Sequence, residues 1–528
     1  RRIVEQAVTE FAPQVEEIFP QTLLDRCDLW PIQAALPQIH QPAGKESLEQ
    51  ARRRFVFQEL FLMQLALAWR QQTLATQCRA VALAVDARID ARIRRLFPFP
   101  LTAGQEQAIA EITADLAREH PMNRLLLGEV GSGKTVVAVY AMLLAVAHGR
   151  QAALMAPTEA LARQHAQTLG EFLKLARVRV GLLAGALSAA ERREVLQAAS
   201  AGEIDLLVGT QALVRTELDL PRLSLVVIDE QHKFGVKQRA RLRQSGLDPH
   251  YLVMTATPIP RTVALTLFGD VDISQLRELP PGRQPVKTYI AAEEQRERWW
   301  EFFGRKLREG RQGYVIAPLV EESSRYRAAN VQSLFEELAD GPLAAFRVAY
   351  VHGRMEPEQK HAALDSFRRG EAQVLVATSV VEVGIDVPNA TLMTIEGGDW
   401  FGLAQLHQLR GRVARGSHPG FCCVFGDPQT EAARQRLAAF EKSSDGFELA
   451  EIDFTLRGPG DLFGTRQHGL PPLLIADLQR DTELLHEARA AARQVLAEDP
   501  DLQTEPNAAL RRRVLARYGK VLELGAVG

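Results

Sequence analysis

The chain has 528 residues, enough for about three or four domains at roughly 150 residues each. Apolar residues make up 46% and charged residues 24%, the balance of a folded water-soluble protein rather than a disordered or fibrous one. The net charge of −2 excludes a globally basic nucleic-acid binder, so any nucleic-acid contact has to come from local basic patches.

Residues 1–96 are predicted helical. Glu49 to Gln72 has apolar residues at helical spacing, and an Ala-rich pattern from Leu74 to Leu96 continues it, ending in Arg92, Arg94 and Arg95. Phe97-Pro98-Phe99-Pro100 breaks the helix. Strands and helices then alternate. Strands are predicted at Arg124–Leu127, Ala152–Ala156, Val178–Leu183, Asp205–Val208, Leu223–Ile228 and Tyr251–Met254, which is one doubly wound parallel sheet. Leu279-Pro280-Pro281-Gly282-Arg283 reads as a linker. A second series follows at Val286–Ile290, Gly313–Ala317, Val348–Val351, Val374–Ala377, Leu392–Ile395 and Phe421–Phe425. From Gln429 the pattern is mostly helical, with Arg511-Arg512-Arg513 reading as a solvated helix face. The expected division is therefore 1–96, 97–280, 281–428 and 429–528: an α/β protein with two tandem lobes between a helical N-terminal segment and a helical C-terminal domain.

The chemistry concentrates in three places. Gly128-Glu129-Val130-Gly131-Ser132-Gly133-Lys134-Thr135 joins a short apolar strand to a helix and is a complete phosphate-binding loop. Glycines let the backbone wrap a phosphate, and the helix N-terminus attracts its charge. Lys134 should reach the β- and γ-phosphates, and the Thr135 hydroxyl should hold Mg²⁺. Asp229 and Glu230 end the apolar run Leu223–Ile228, at the carboxyl edge where ligands of open α/β sheets bind. Asp229 can hold Mg²⁺, and Glu230 can orient and deprotonate an attacking water. Arg412 and Arg415 lie three apart in Gln408-Leu409-Arg410-Gly411-Arg412-Val413-Ala414-Arg415, so on a helix they share one face and can reach a γ-phosphate across a cleft. The bland readings are a glycine turn, a surface acidic pair and a basic helix face. The second lobe has no phosphate loop, so it reads as the partner half of one ATPase.

The cysteines, Cys27, Cys78, Cys422 and Cys423, have no metal-ligand spacing, which fits a reduced cytosolic protein without a disulfide frame. No signal peptide is evident. The longest apolar stretch, Val136 to Ala147, is well short of the ~20 residues of a membrane span.

With these motifs in order, the chain resembles the superfamily 2 helicases and translocases, and within them the RecG family. Leu101-Thr102 with Gln105 looks like the adenine-reading segment. Ala156-Pro157-Thr158-Glu159 and Gly209-Thr210-Gln211-Ala212 look like strand-tracking motifs. Thr255-Ala256-Thr257-Pro258 looks like the motif coupling hydrolysis to lobe movement. Val351 to Met355 and Ala377 to Asp386 look like second-lobe motifs, the latter bringing Gly384 and Asp386 to the nucleotide. Asp453 through Gln467 looks like the translocation motif of RecG and its transcription-coupled repair relative, with Arg457, Arg466 and Gln467 as its working residues. Ala34-Leu36, Ile39–Pro42 and Ala51-Arg52-Arg53-Arg54-Phe55 extend the likeness to the N-terminal segment.

The resemblance implies an ATP- and Mg²⁺-dependent DNA translocase acting as a monomer on branched or duplex DNA in recombination and repair, in the bacterial cytoplasm beside the nucleoid. It implies coupling or DNA roles for Gln231, His232, Thr255, Thr257 and Gln408, and leaves protein partners such as a single-stranded-DNA-binding protein open. Three departures stand out: Ala414 replaces a usual Gly, His468 replaces a small polar residue, and no pattern of short strands for the family's N-terminal wedge barrel is visible. The chain begins with Arg1 rather than Met, which suggests a fragment or a wedge coded upstream. A helicase on RNA, or a nucleotide-controlled clamp with a degenerate ATPase, are the alternatives.

Overall fold

The computed structural model describes residues 2–526 except 186, 211–212, 214–219, 231–246, 257–270, 281–283, 318–323, 353–354, 379–386, 417, 458–470 and 472. Two parallel sheets organise the chain. The first has seven strands: β1 (Asn123–Gly128), β2 (Gln151–Met155), β3 (Val180–Leu183), β4 (Leu206–Gly209), β5 (Leu223–Asp229), β6 (His250–Thr255) and β7 (Asp272–Leu276). Their order is β3-β4-β2-β5-β6-β1-β7. The second has β8 (Val286–Ala291), β9 (Gln312–Ile316), β10 (Val348–Val351), β11 (Val374–Ala377), β12 (Ala390–Ile395) and β13 (Gly420–Phe425), ordered β10-β11-β9-β12-β13-β8. Both are doubly wound α/β lobes, as the strand–helix alternation implies.

The central strands are buried on both faces, which is why they read as unbroken apolar runs: β2, β6 and β12 are buried at every residue. β7 escaped the sequence reading because its pattern carries polar residues. Ser274 is buried there and accepts from Arg124 Nη1 of β1 at 2.8 Å. That bond satisfies a polar group that would otherwise argue against a strand.

The N-terminal segment does not form one continuous unit. The helix Lys45–Gln77 stops short of the expected Leu96: residues 78–86 form neither helix nor strand, and the next helix is Ala87–Arg94. Helix propensity loses here to tertiary hydrogen bonds. Ala80 N–H donates to Glu119 O at 2.8 Å and Leu83 N–H to Leu116 O at 2.7 Å. Buried His250 reaches Val81 O at 2.9 Å through Nε2, while its Nδ1 accepts from Met122 N–H at 3.0 Å. Asp86 then caps the next helix by accepting from Ile89 N–H at 2.7 Å.

The core follows the same split. Leu83, Ile93 and Phe97 join the first lobe. Phe19, Phe57, Leu60 and Phe61 instead share one core with Leu485, Ala488, Val495 and Tyr518 of the C-terminal helices Thr482–Glu498 and Ala508–Ala526. The Arg52-Arg53-Arg54 run stitches these layers together. Arg52 pairs with Asp481 at 2.8 Å, Arg53 with Glu487 at 2.8 Å and fully buried Arg54 with Glu17 at 2.6 Å. Arg511, Arg512 and Arg513 are exposed. No helix among the described residues is long and apolar enough to cross a membrane.

Candidate active site

Strand register gathers the candidate residues at one edge. β6 lies between β5 and β1, pairing Asp229 with Met254 and Leu127 with Thr255. The phosphate loop, the Asp229-Glu230 pair and the Thr255-Ala256 segment therefore emerge side by side at the carboxyl ends of three adjacent strands.

Gly131 and Gly133 have φ of +83° and +85°, left-handed values that favour glycine, and Gly133 caps the helix Lys134–Ala147. A Cβ on Gly128 would meet Ser132 Oγ at 2.5 Å, so the loop closes on itself. Gln105 holds it from below. Its Nε2 donates to Ser132 O at 3.0 Å and its Oε1 accepts from Thr102 N–H at 3.0 Å in a capping box. Gln105 is buried here and engaged in supporting the loop. Lys134 Nζ folds back and donates to Gly128 O at 2.7 Å and Glu129 O at 2.9 Å. Burial lowers its proton affinity to a pKa of about 8 against the opposing pull of Asp229 and Glu230, and the Arg415 charge lowers it further.

Asp229 Oδ2 accepts from His165 Nε2 at 2.7 Å. Sequence reasoning missed His165. The available signal was a polar residue in the buried stripe Ala162-His165-Leu169 of the helix Glu159–Phe172. Glu230 has φ of +57°, uncommon for a side-chain-bearing residue. It is held by Thr255 Oγ1 donating to Oε2 at 3.3 Å, Ala256 N–H donating to Oε1 at 3.1 Å, and its own N–H on Met254 O at 2.9 Å. The Thr-Ala segment thus touches the Asp-Glu pair directly.

The second lobe meets the loop through Gly411, where a Cβ would lie 3.0 Å from Val130 Cβ. One expectation needs correction. The helix Leu403–Arg410 ends before Arg412, so Arg412 and Arg415 do not share a helical face. Arg412 N–H donates to Leu409 O at 2.9 Å in a turn, and Ala414 takes φ of +58°. The left-handed residue explains why a glycine is usual at this position, and it re-aims the chain between the arginines. Arg415 Nε donates back to Gly411 O at 3.2 Å. Gln408 lies in the last turn of the helix, partly exposed. Buried Arg410 is structural: it donates to Phe440 O at 2.9 Å and Thr288 Oγ1 at 3.2 Å.

The donor set fits a magnesium–nucleotide complex. Ser132 Oγ is a buried hydroxyl with no hydrogen-bond partner inside the loop, and Lys134, the Thr135 hydroxyl and the Asp229 carboxylate surround the same edge. Gln231, His232, Thr257, Gly384, Asp386, Arg466, Gln467 and His468 lie outside the described residues, as does the side chain of Arg457, the last residue of the helix Gly446–Arg457.

Two lobes of this topology, with a glycine-rich loop on the first and Arg415 of the second close enough to act on Lys134, define a tandem-lobe helicase core. Residues 102–266 match the DEAD/DEAH box helicase family and residues 299–417 the helicase conserved C-terminal domain. Residues 443–523 match the C-terminal part of domain 3 of the ATP-dependent DNA helicase RecG. The ATP-dependent DNA helicase RecG of Synechocystis sp. is 45% identical over 99% of this chain, and that of Bacillus subtilis 42% over 98%. A solved structure of RecG bound to a three-way DNA junction superposes with a TM-score of 0.73 at 36% identity, covering 92% of this chain and 64% of that one. The chain belongs to the RecG family. It spans 62% of the Synechocystis relative's length and 76% of the Bacillus subtilis relative's. The DNA-bound helicase MrfA, at 18% identity and a TM-score of 0.51, shares the fold.

Proposed function

We propose that this chain is an ATP-hydrolysing DNA translocase that works, as a monomer in the cytoplasm, on duplex and branched DNA during recombination and repair. The observation that carries the reading is convergence: Lys134, Asp229 and Glu230 stand at one sheet edge, and the Arg415 charge reaches Lys134 from the other lobe. Family membership, and the three-way junction bound to the RecG relative, support branched DNA as the track.

In this reading the loop amides and Lys134 take the phosphates. Thr135 and Asp229 hold Mg²⁺, which supplies charge neutralisation when bound. His165 fixes the Asp229 carboxylate. Glu230, aimed by Thr255 and Ala256, accepts the proton of the attacking water. Arg412 and Arg415 stabilise charge developing at the γ-phosphate. Gln105 supports the loop and the adenine side, and Gly384 and Asp386 complete the nucleotide site. Gln231, His232, Thr257 and Gln408 link the cleft to DNA, which Arg457, Arg466 and Gln467 contact. Affinity for DNA should rest on phosphate contacts and weaken steeply with salt.

Lys134→Ala tests the assignment. Hydrolysis should fall to background while binding to duplex DNA, followed by fluorescence anisotropy, stays near the native value. Normal turnover in this variant would defeat the proposed site.

A further inference from the structure

The side chain of Glu129 is not used in the chemistry above, although it belongs to the phosphate loop. It is buried, and a buried carboxylate persists only where other groups compensate its charge. Its Oε1 accepts the backbone N–H of Gly446 at 2.6 Å and lies 3.7 Å from His407 Nε2. Arg410 donates to His407 Nδ1 at 3.1 Å, and because arginine has no acceptor, the His407 proton sits on Nε2, facing Glu129.

Gly446 opens the helix Gly446–Arg457. Asp445 caps that helix by accepting from Phe447 N–H at 2.8 Å, and Glu129 takes the N–H of Gly446 itself. Two carboxylates thus satisfy the helix's first amides, where its dipole favours negative charge.

This one helix touches every body of the molecule. Phe447 packs on the first lobe's core and under the Arg277 guanidinium at 5.7 Å. Leu449 sits in the second lobe's core and Ile452 packs against it. Phe454 sits in the core shared by the N- and C-terminal helices, and its carbonyl accepts from Gln479 Nε2. The Gly-Pro-Gly segment that reads as the translocation motif follows directly after Arg457.

We infer that Glu129 is a positioning residue that ties the phosphate loop to the helix Gly446–Arg457 and to His407, and so couples nucleotide binding to DNA binding. Lys134 Nζ rests on the Glu129 carbonyl, so a phosphate that draws Lys134 away changes the backbone that carries this carboxylate. Short buried contacts between packed elements pass such a shift on. The inference rests on the ATP-and-DNA reading above.

Gly446→Pro removes the N–H that Glu129 accepts. Proline suits the first helical position, and Gly446 does not have a positive φ. The measurement is affinity for a non-hydrolysable ATP analogue with Mg²⁺, with and without saturating duplex DNA. In the native chain the two affinities should differ by about fivefold or more, the usual scale of coupling between sites. In Gly446→Pro the ratio should collapse to about one, while each ligand alone still binds within about twofold of native, because coupling and affinity are separable. Glu129→Ala should give the same collapsed ratio, and it carries the test if the proline variant does not fold. An unchanged ratio in the variants overturns the inference alone, and so does loss of nucleotide binding without DNA, which would make Glu129 a prop of the loop. A ratio of one in the native chain also overturns the inference, whereas the motor reading fails only if duplex DNA leaves hydrolysis unstimulated.

Discussion

Lys134 gives the cleft a pH signature. Burial holds its pKa down to about 8 in the nucleotide-free protein. A phosphate beside it would favour the charged form and raise that value, so binding should take up a proton. The sign follows: uptake is small well below pH 8, where Lys134 is already charged, grows as pH rises through 8, and falls again above the raised value of the bound state. Calorimetry of nucleotide binding in buffers of different ionisation enthalpy should show this rise. Proton release, or an uptake independent of pH, would contradict the placement of Lys134. At this scale the sequence was informative where chemistry dictates residue type. Lys134, Thr135, Asp229 and Glu230 could be singled out because the proposed phosphate, metal and water-activating roles each demand a particular group, and strand register brings their segments to one edge. His165 and the role of Gln105 were not, since a lone polar residue in a helix carries no sign of its partner across the fold. The left-handed conformations of Glu230 and Ala414 were likewise hidden, although the replacement of a usual glycine by Ala414 pointed to the second.

At the scale of elements, most strands were legible because parallel central strands are apolar throughout, and the misses share a cause. β7 carries a buried serine satisfied by Arg124, residues 78–86 trade helix for tertiary hydrogen bonds, and the arginine segment leaves its helix at Gly411. In each case a distant partner overrode local pattern. The Arg52-Arg53-Arg54 run, which in sequence is only a basic stretch, is a staple between the chain's two ends. Fully buried Arg54 depends on Glu17, whose carboxylate also accepts from Ile32 N–H at 2.6 Å and Phe19 N–H at 3.0 Å. Glu17→Ala leaves that guanidinium uncompensated and should destabilise the helical layer by about 3–5 kcal/mol. Glu16→Ala, which breaks an exposed pair with Arg512, should leave stability nearly unchanged. Denaturant unfolding followed by circular dichroism compares the two. Equal effects would mean the buried pair contributes no more than a surface one.

At the scale of the whole molecule, one chain brings together two sheets and a helical layer built from both its ends, with the candidate nucleotide site in the cleft where the lobes meet at Val130 and Gly411. Gly411 against Val130, Glu129 against Gly446 and His407, and Arg277 over Phe447 are among the contacts that join them. Such a cleft is a two-state element whose closure a nucleotide can bias. The number of lobes and their order were readable from the strand–helix alternation. The pairing of the first residues with the last was not, because apolar periodicity marks a buried face without naming what covers it. The central claim is that this cleft hydrolyses ATP in response to DNA. The measurement that tests it most directly is the rate of hydrolysis with no nucleic acid, with duplex DNA, with a synthetic three-way junction and with single-stranded RNA. The account predicts strong stimulation by duplex and junction DNA and little by RNA. Stimulation by RNA alone, or by none of the three, would contradict it.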